Sequence, residues 1–296
     1  MGTLVVRHYP TSLYANLADH TYVECGTGGK AWACWGGKTG GSALRQSAGS
    51  TKRADAIARP NGRAGIKCYL VNGVCHQAAN RTLLPAFITV RGARGYDVSE
   101  SLFGTYGRPR GAFGTCRAPF DQHAGVTGDL PACAEGMAKP KGPKPARGAP
   151  TLSAEARRAE RKYLRGVLAI YGRVEPRLRS ARALSGPDLE GFLVELFMHK
   201  VRYRLGPGLD RSLAQKLRAI RVSTERSRMK IEEWFAGKEI TARVFVTAFN
   251  TETILFQEAV AGALKADQYK ALFGLRRGET VILADPRIVR RAYGGR

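Results

Sequence analysis

Two kinds of hydrophobic spacing divide the chain into a first part with strand-like alternation and a second part with helical periodicity. Strand-like alternation of β-branched or aromatic residues with polar ones occurs at 19–25, and a second run follows a glycine-rich hairpin at 30–35. Apolar residues recur every three or four positions over roughly 153–172, 187–206, 210–235 and 240–264. Short connections between these helices predict antiparallel neighbours in a bundle.

Three shorter elements complete this reading. Residues 87–91 have the composition of a strand, and residues 280–283 predict another short strand. Asp285 and Pro286 predict the start of a last helix, because proline is favoured in a first helical turn.

A proline- and lysine-rich stretch separates the two parts. Residues 134–152 contain four prolines, namely Pro140, Pro143, Pro145 and Pro150, and such a stretch cannot hold a helix. The predicted fold class is therefore α+β, with a small loop-rich α+β N-terminal domain at 1–133. A linker at 134–152 joins it to an all-α helical-bundle C-terminal domain at 153–296.

The segment 67–84 is the strongest indication of chemistry. It runs from a β-type stretch through a glycine turn into a helical pattern, with Cys75 at the junction. The N–H groups and dipole at a helix start favour a thiolate, so we expect a lowered pKa and alkylation by iodoacetamide well below pH 8. The alternatives for Cys75 are a buried core residue, a metal ligand or half of a disulfide.

A thiolate nucleophile needs a base, and His20 on the strand 19–25 is the preferred candidate among five histidines. Glu24 shares the face of His20 because side chains alternate with a period of two, so it is the candidate to orient the imidazole. A second candidate base is His123, which lies close to Asp121 in a loop.

A histidine on an early strand followed by a cysteine at a later helix start resembles the circularly permuted papain-like enzymes. These are the NlpC/P60 and lecithin:retinol acyltransferase relatives, and the resemblance covers roughly residues 15–90. It implies a thiol-dependent hydrolase, such as a thiol protease, or an acyltransferase on an amide or ester, with Cys75 as nucleophile and His20 as base. The family's third residue is a polar side chain on the next strand, where this chain offers only Lys30 among charged groups.

Three polar residues of the same predicted helix, Gln77, Asn80 and Arg81, are candidates for substrate binding. No cofactor and no metal is expected. All six cysteines fall within the first 133 residues, and their spacing does not match zinc ribbons or fingers. Three disulfides in an oxidising compartment are the alternative.

Charge is the second strong signal. Forty-eight Lys and Arg against twenty-four Asp and Glu give a net charge of +24, which favours a polyanionic partner such as nucleic acid, an anionic wall polymer or a membrane surface. An Arg-rich face of the third helix, formed by Arg218, Arg221, Arg226 and Arg228, is the expected contact, with a protein partner as the alternative. An arginine-rich coding bias would produce the same composition.

Neither a transmembrane span nor a secretory signal is expected from the sequence, and localisation is left open between the cytoplasm and a non-classical export route. The alternative to the enzyme is a non-enzymatic, basic two-domain protein that binds nucleic acid or a protein assembly.

Overall fold

The computed structural model describes residues 2–9, 16–26, 30–33, 37–58, 64, 66, 68–108, 153–179 and 186–293. It is a mixed α/β fold that is mostly helical, with one small antiparallel sheet. The predicted linker at 134–152 lies outside the described residues, so the two-domain division stays a prediction.

The sheet has four described strands in the order β3-β2-β1-β4, namely β1 (Gly2–Tyr9), β2 (His20–Cys25), β3 (Ala31–Trp32) and β4 (Ser42–Gly49). β1 pairs with β2 in an antiparallel register that places Tyr9 opposite His20. Leu4, Val6 and Val23 are fully buried in a core that also holds residues of the helix beginning at Cys75. The sequence predicted β2 and the position of β3, but not β1 or β4.

Three helices accompany the sheet, α1 (Thr51–Ala58), α2 (Cys75–Thr82) and α3 (Tyr96–Phe103). The expected strand at 87–91 is wrong. A 3-10 turn at Leu84–Ala86 ends in Phe87 with a φ of 54°, and the Val90 N–H donates to the Asn80 side chain at 2.8 Å. Side-chain capture of that N–H replaces the ladder hydrogen bond that a strand would need.

The second part contains α4 (Ala154–Arg179), α5 (Gly186–Leu205), α6 (Arg211–Ala236), α7 (Ala242–Ala263), α8 (Ala266–Phe273) and α9 (Pro286–Tyr293). Asp210 and Thr241 cap α6 and α7, because their side chains accept from main-chain N–H groups three residues on. The expected end of α4 at Gly172 is wrong, since the helix continues to Arg179. A single glycine inside a helix costs only about 1 kcal/mol, which neighbouring packing offsets.

One hydrophobic core joins residues from both sides of the predicted linker. Val98 and Phe103 of α3 belong to the same buried cluster as Val201 of α5 and Phe249 of α7. The ring of Phe103 stacks on that of Phe249 with centroids 5.9 Å apart. The described residues of the two predicted domains are therefore packed against each other.

Residues 281–285 form an extended segment rather than the expected strand. On the side facing the sheet, Ile282 forms an isolated β-bridge with Leu17, just before β2. On the other side, Gln257 of α7 exchanges two hydrogen bonds with the main chain of Val281, at 2.8 and 2.9 Å. Two side-chain amides replace most of the ladder here, because a second one, from Asn250, holds Ala284 in the same way.

The prediction that four arginines of α6 form one exposed face is wrong. Arg221 and Arg228 are buried, and both form ion pairs with the buried Glu225. Arg226 is exposed but pairs with Glu190. The buried Arg108 also reaches Glu225, at 2.7 Å, so this network ties the end of the first part to α6. The buried arginines of this network serve packing and internal charge balance, whereas Arg218 is exposed and forms no ion pair within the described residues.

Within the described residues, no helix is both long and apolar enough to cross a bilayer.

Candidate active site

Cys75 is the first residue of α2, at the helix start that the sequence indicated. Its side chain is buried, with only 7% of the residue exposed. Burial raises the pKa of the Cys75 thiol to about 11, so the expected lowering is wrong for this conformation. The loss of hydration destabilises a buried thiolate by more than the hydrogen-bonding groups around the sulfur stabilise it.

Groups that lower the pKa of the thiol are nevertheless present, some at the start of α2 and some at Thr21 of β2. The main-chain groups of Thr21, Cys75 and His76 and the Thr21 hydroxyl all lower the pKa of the Cys75 thiol, although less than burial raises it. The Thr21 hydroxyl is buried and makes no hydrogen bond that satisfies normal geometry. The thiol itself donates to the Asp19 carbonyl at 3.8 Å. The resting sulfur is thus a neutral thiol beside several donors that favour a thiolate.

His20 begins β2 and is buried against Tyr9, with ring centroids 4.9 Å apart. Its Nε2 lies 2.9 Å from the Gly37 carbonyl oxygen. Because a carbonyl can only accept, Nε2 carries the proton and Nδ1 of the neutral ring is left as an acceptor. Burial lowers the pKa of His20, which favours this neutral form.

His20 and Cys75 line one small cavity of about 20 Å³, which is close to the space that one water needs. Among the described residues no hydrogen bond joins the two side chains. The rest of the wall comes from residues 17–19 before β2, from the turn before α2 and from the segment 283–288. This last segment contributes the side chains of Leu283, Asp285 and Ile288.

Asp285 is the site residue that sequence reasoning missed. It is 5% exposed, lies in the cavity wall and raises the pKa of His20, against the larger effect of burial. Arg287 holds its carboxylate through Nη2 at 2.9 Å and Nε at 3.2 Å. Asp285 was read only as the start of a helix, since nothing local connects it to a cysteine 210 positions earlier.

Glu24 does not reach His20. It lies four residues further along β2, where its carboxylate pairs with Arg7 of β1. Four strand residues span about 13 Å, so sharing a face does not bring the two side chains into contact. The Gly37 carbonyl, and not Glu24, accepts the hydrogen bond that orients the His20 ring.

Gln77, Asn80 and Arg81 are buried, and none of them lines the cavity. Their side chains bond to main-chain groups, with Gln77 donating to Gly104, Asn80 to Thr105 and Arg81 to Ala64. These contacts hold Gly104 and Thr105, which follow α3, and Ala64, which precedes α2, against that helix. The expectation that they bind substrate is therefore not supported by their placement, because α2 is buried along its whole length.

His76 also lies in the cavity wall, but both of its ring nitrogens are engaged. Nε2 donates to the Asp19 carbonyl at 3.0 Å, which leaves Nδ1 to accept from the Ser99 hydroxyl at 2.8 Å. Burial lowers the pKa of His76 to about 4. It is a neutral structural group, and His20 is the histidine of the cavity with an uncommitted acceptor.

Of the cysteines in the described residues, Cys68 is disulfide-bonded, whereas Cys25 and Cys75 are free thiols. A disulfide at Cys68 excludes this residue as a zinc ligand. Cys34, Cys116, Cys133 and the alternative base His123 lie outside the described residues. The described part of the chain contains no group of three or more His, Cys, Asp or Glu side chains that could hold a metal ion.

No protein-family model matches the sequence, and neither a curated protein nor a solved structure is detectably similar to the chain.

Proposed function

We propose that the chain is a cysteine-dependent hydrolase or acyltransferase that acts on an amide or ester, with Cys75 as nucleophile and His20 as base. The observation that carries this proposal is the shared cavity, in which a helix-start thiol and a histidine of fixed tautomer are both present. The resemblance to permuted papain-like enzymes supports the same pairing.

The reaction follows from the proton positions. The Cys75 proton passes to Nδ1 of His20, and the sulfur attacks the substrate carbonyl carbon to give a tetrahedral oxyanion. Main-chain N–H groups at the start of α2 stabilise that oxyanion. Collapse breaks the bond to the leaving group, which takes the proton from Nδ1, and leaves a thioester on Cys75. Water or another nucleophile then attacks the thioester and restores the thiol.

Asp285 and Gly37 have separate roles in this scheme. The Gly37 carbonyl holds Nε2–H and so aims Nδ1 away from it. Asp285 favours the protonated ring that forms during attack, because a carboxylate stabilises an imidazolium. The carboxyl function that the sequence assigned to Glu24 is thus proposed for Asp285.

The cavity holds about one water, so a substrate acyl group requires it to open. The segment 283–288 is the wall that covers it from the second part of the chain, and its movement would both admit substrate and rehydrate the sulfur. Rehydration lowers the thiol pKa, since burial is the main cause of its rise. Opening and activation are therefore coupled in this proposal.

Trapping of the thioester tests the proposal. The chain with Cys25→Ser is incubated with p-nitrophenyl acetate, digested at low pH and mapped by mass spectrometry. We expect an acetyl group on Cys75, slower acetylation in His20→Ala, and none in Cys75→Ser. Acetylation that is equally fast in His20→Ala, or that appears on lysines alone, would contradict the assignment.

The binding protein is the second candidate, and a separate observation favours it. Several basic side chains of α4 are exposed and have no acidic partner among the described residues. Polyanion binding by the Cys75→Ser variant, together with absence of any thioester on the parent chain, would establish binding without chemistry.

A further inference from the structure

Unpaired positive charge is concentrated on the first three turns of α4. Arg157, Arg158, Lys162 and Arg165 are exposed there, and Arg161 is partly exposed. At 100° per residue these five positions fall within an arc of about 140°, so they form one face. We define this set as the α4 basic face.

Many acidic side chains of the described residues are committed to other partners, whereas Glu155 on the first turn of α4 is exposed and forms no ion pair there. Ion pairs join Arg7 to Glu24, Lys30 to Asp55, Arg45 to Glu160, Arg173 to Glu195, Arg226 to Glu190 and Arg287 to Asp285. None of the five residues of the α4 basic face forms an ion pair within the described residues. Glu160, the acid nearest to them in sequence, points inward to Arg45 and is buried.

The opposite face of α4 cannot serve as a membrane anchor. Tyr163, Leu164 and Val167 are buried in a core cluster with residues of α5. A surface helix that binds a bilayer inserts an apolar face beneath its basic residues, and here that face is already covered by protein. The exposed part of these three turns therefore offers charge without an insertable apolar side.

We propose that the α4 basic face binds single-stranded nucleic acid along its phosphodiester backbone. Neighbouring basic residues three or four positions apart lie about 5 to 6 Å from each other along the helix, which gives a row rather than a patch. Four of the five are arginines, whose planar guanidinium groups bind phosphate oxygens in a bidentate manner. This surface replaces α6 as the site of polyanion contact and does not depend on the chemistry of Cys75.

A polyol phosphate of a cell wall has the same phosphodiester linkages but lacks the bases on which arginine side chains stack, so it is the alternative ligand in the test. Fluorescence anisotropy with a labelled single-stranded oligonucleotide, and competition by poly(glycerol phosphate), distinguish the two ligands. The test variant combines Arg158→Gln, Lys162→Gln and Arg165→Gln. The control combines Lys265→Gln, Lys270→Gln and Arg276→Gln, which removes three exposed charges near α8. Thermal unfolding of both variants checks that the fold is kept.

We expect the α4 variant to bind the oligonucleotide about tenfold or more weakly at 50 mM salt, with a salt dependence reduced by about 2 in logarithmic slope, because three phosphate contacts are lost. The control should bind within about twofold of the parent chain. Poly(glycerol phosphate) at equal phosphate concentration should fail to displace the oligonucleotide.

Four results would overturn the proposal. These are equal weakening in the two variants, an unchanged affinity in the α4 variant, displacement of the oligonucleotide by poly(glycerol phosphate), and binding only to vesicles of anionic phospholipid. The last result would assign the basic face to a membrane surface instead.

Discussion

The side-chain amide of Asn250 forms hydrogen bonds with both the N–H and the carbonyl of Ala284. Its side-chain carbonyl accepts from the Ala284 N–H at 3.0 Å, and its amide donates to the Ala284 carbonyl at 3.3 Å. Gln257 does the same for Val281, and the spacing fits because seven helical residues and three extended ones both span about 10 Å. These two amides fix the segment that continues into Leu283 and Asp285 of the cavity wall.

Asn250→Ala should loosen that wall. The buried Ala284 N–H and carbonyl lose their partner, which should lower the free energy of unfolding by about 1 to 3 kcal/mol. We also expect faster alkylation of Cys75 at pH 8, since opening exposes the thiol. Chemical denaturation and peptide mapping measure the two effects. Thr247→Ala, on the exposed side of α7, is the matched control and should change neither. Lower stability with unchanged Cys75 alkylation would mean that this segment does not control access.

Alkylation of Cys75 in the parent chain should be slow at neutral pH. With a pKa of about 11, only about one thiol in ten thousand is ionised at pH 7. The rate with iodoacetamide should rise about tenfold per pH unit up to pH 10, measured in a Cys25→Ser background. Rapid modification below pH 8 would contradict the buried, neutral thiol and restore the expectation drawn from the helix start.

Stability should fall on mild acidification because of His76. Its folded-state pKa of about 4 lies below the ordinary value of about 6.5, so the unfolded chain takes up the proton first. This contribution is complete above pH 6.5, declines as pH falls towards 4, and reaches a loss of about 3 kcal/mol. Denaturant unfolding of the parent chain and of His76→Gln between pH 7 and 4 isolates it. A difference between the two chains that does not vary with pH would contradict the assignment.

Trypsin should cut the chain between 139 and 147 without separating its halves. Lys141 and Arg147 of that stretch are followed by glycine, which trypsin accepts, whereas Val98 and Phe103 share a buried core with Val201 and Phe249. Size-exclusion chromatography of the nicked protein should show one peak at the intact mass, and urea should release two fragments. Dissociation under native conditions would instead support independent domains.

Local signals predicted the elements that depend on neighbouring residues. Apolar periodicity placed α6 and α7 to within a few residues of their ends, and the turn at Gly73 placed the start of α2 at Cys75. Period-two alternation placed His20 on β2. These features are set by hydrogen bonds and side-chain directions within a few residues, which a single sequence displays directly.

Long-range contacts account for what the sequence did not predict. The thiol pKa is raised by burial beneath residues more than 200 positions away, which outweighs a helix start that is visible locally. The partner of His20 is a main-chain carbonyl, and such an acceptor has no side-chain signature. From the sequence alone, Arg221 and Arg228 were predicted to be exposed. In the structure both are buried and pair with Glu225, which also pairs with Arg108.

The segment 281–288, which Asn250 and Gln257 hold in place, also determines when the cavity is completed during synthesis. A nascent chain that has emerged as far as residue 280 already contains Cys75 and His20, but it lacks Leu283, Asp285 and Ile288. Because chains begin to fold from the N-terminus as they are made, the thiol is left without this wall until translation passes α9. The interval between those two events is when Cys75 is most accessible to oxidants and to other thiols in the cell.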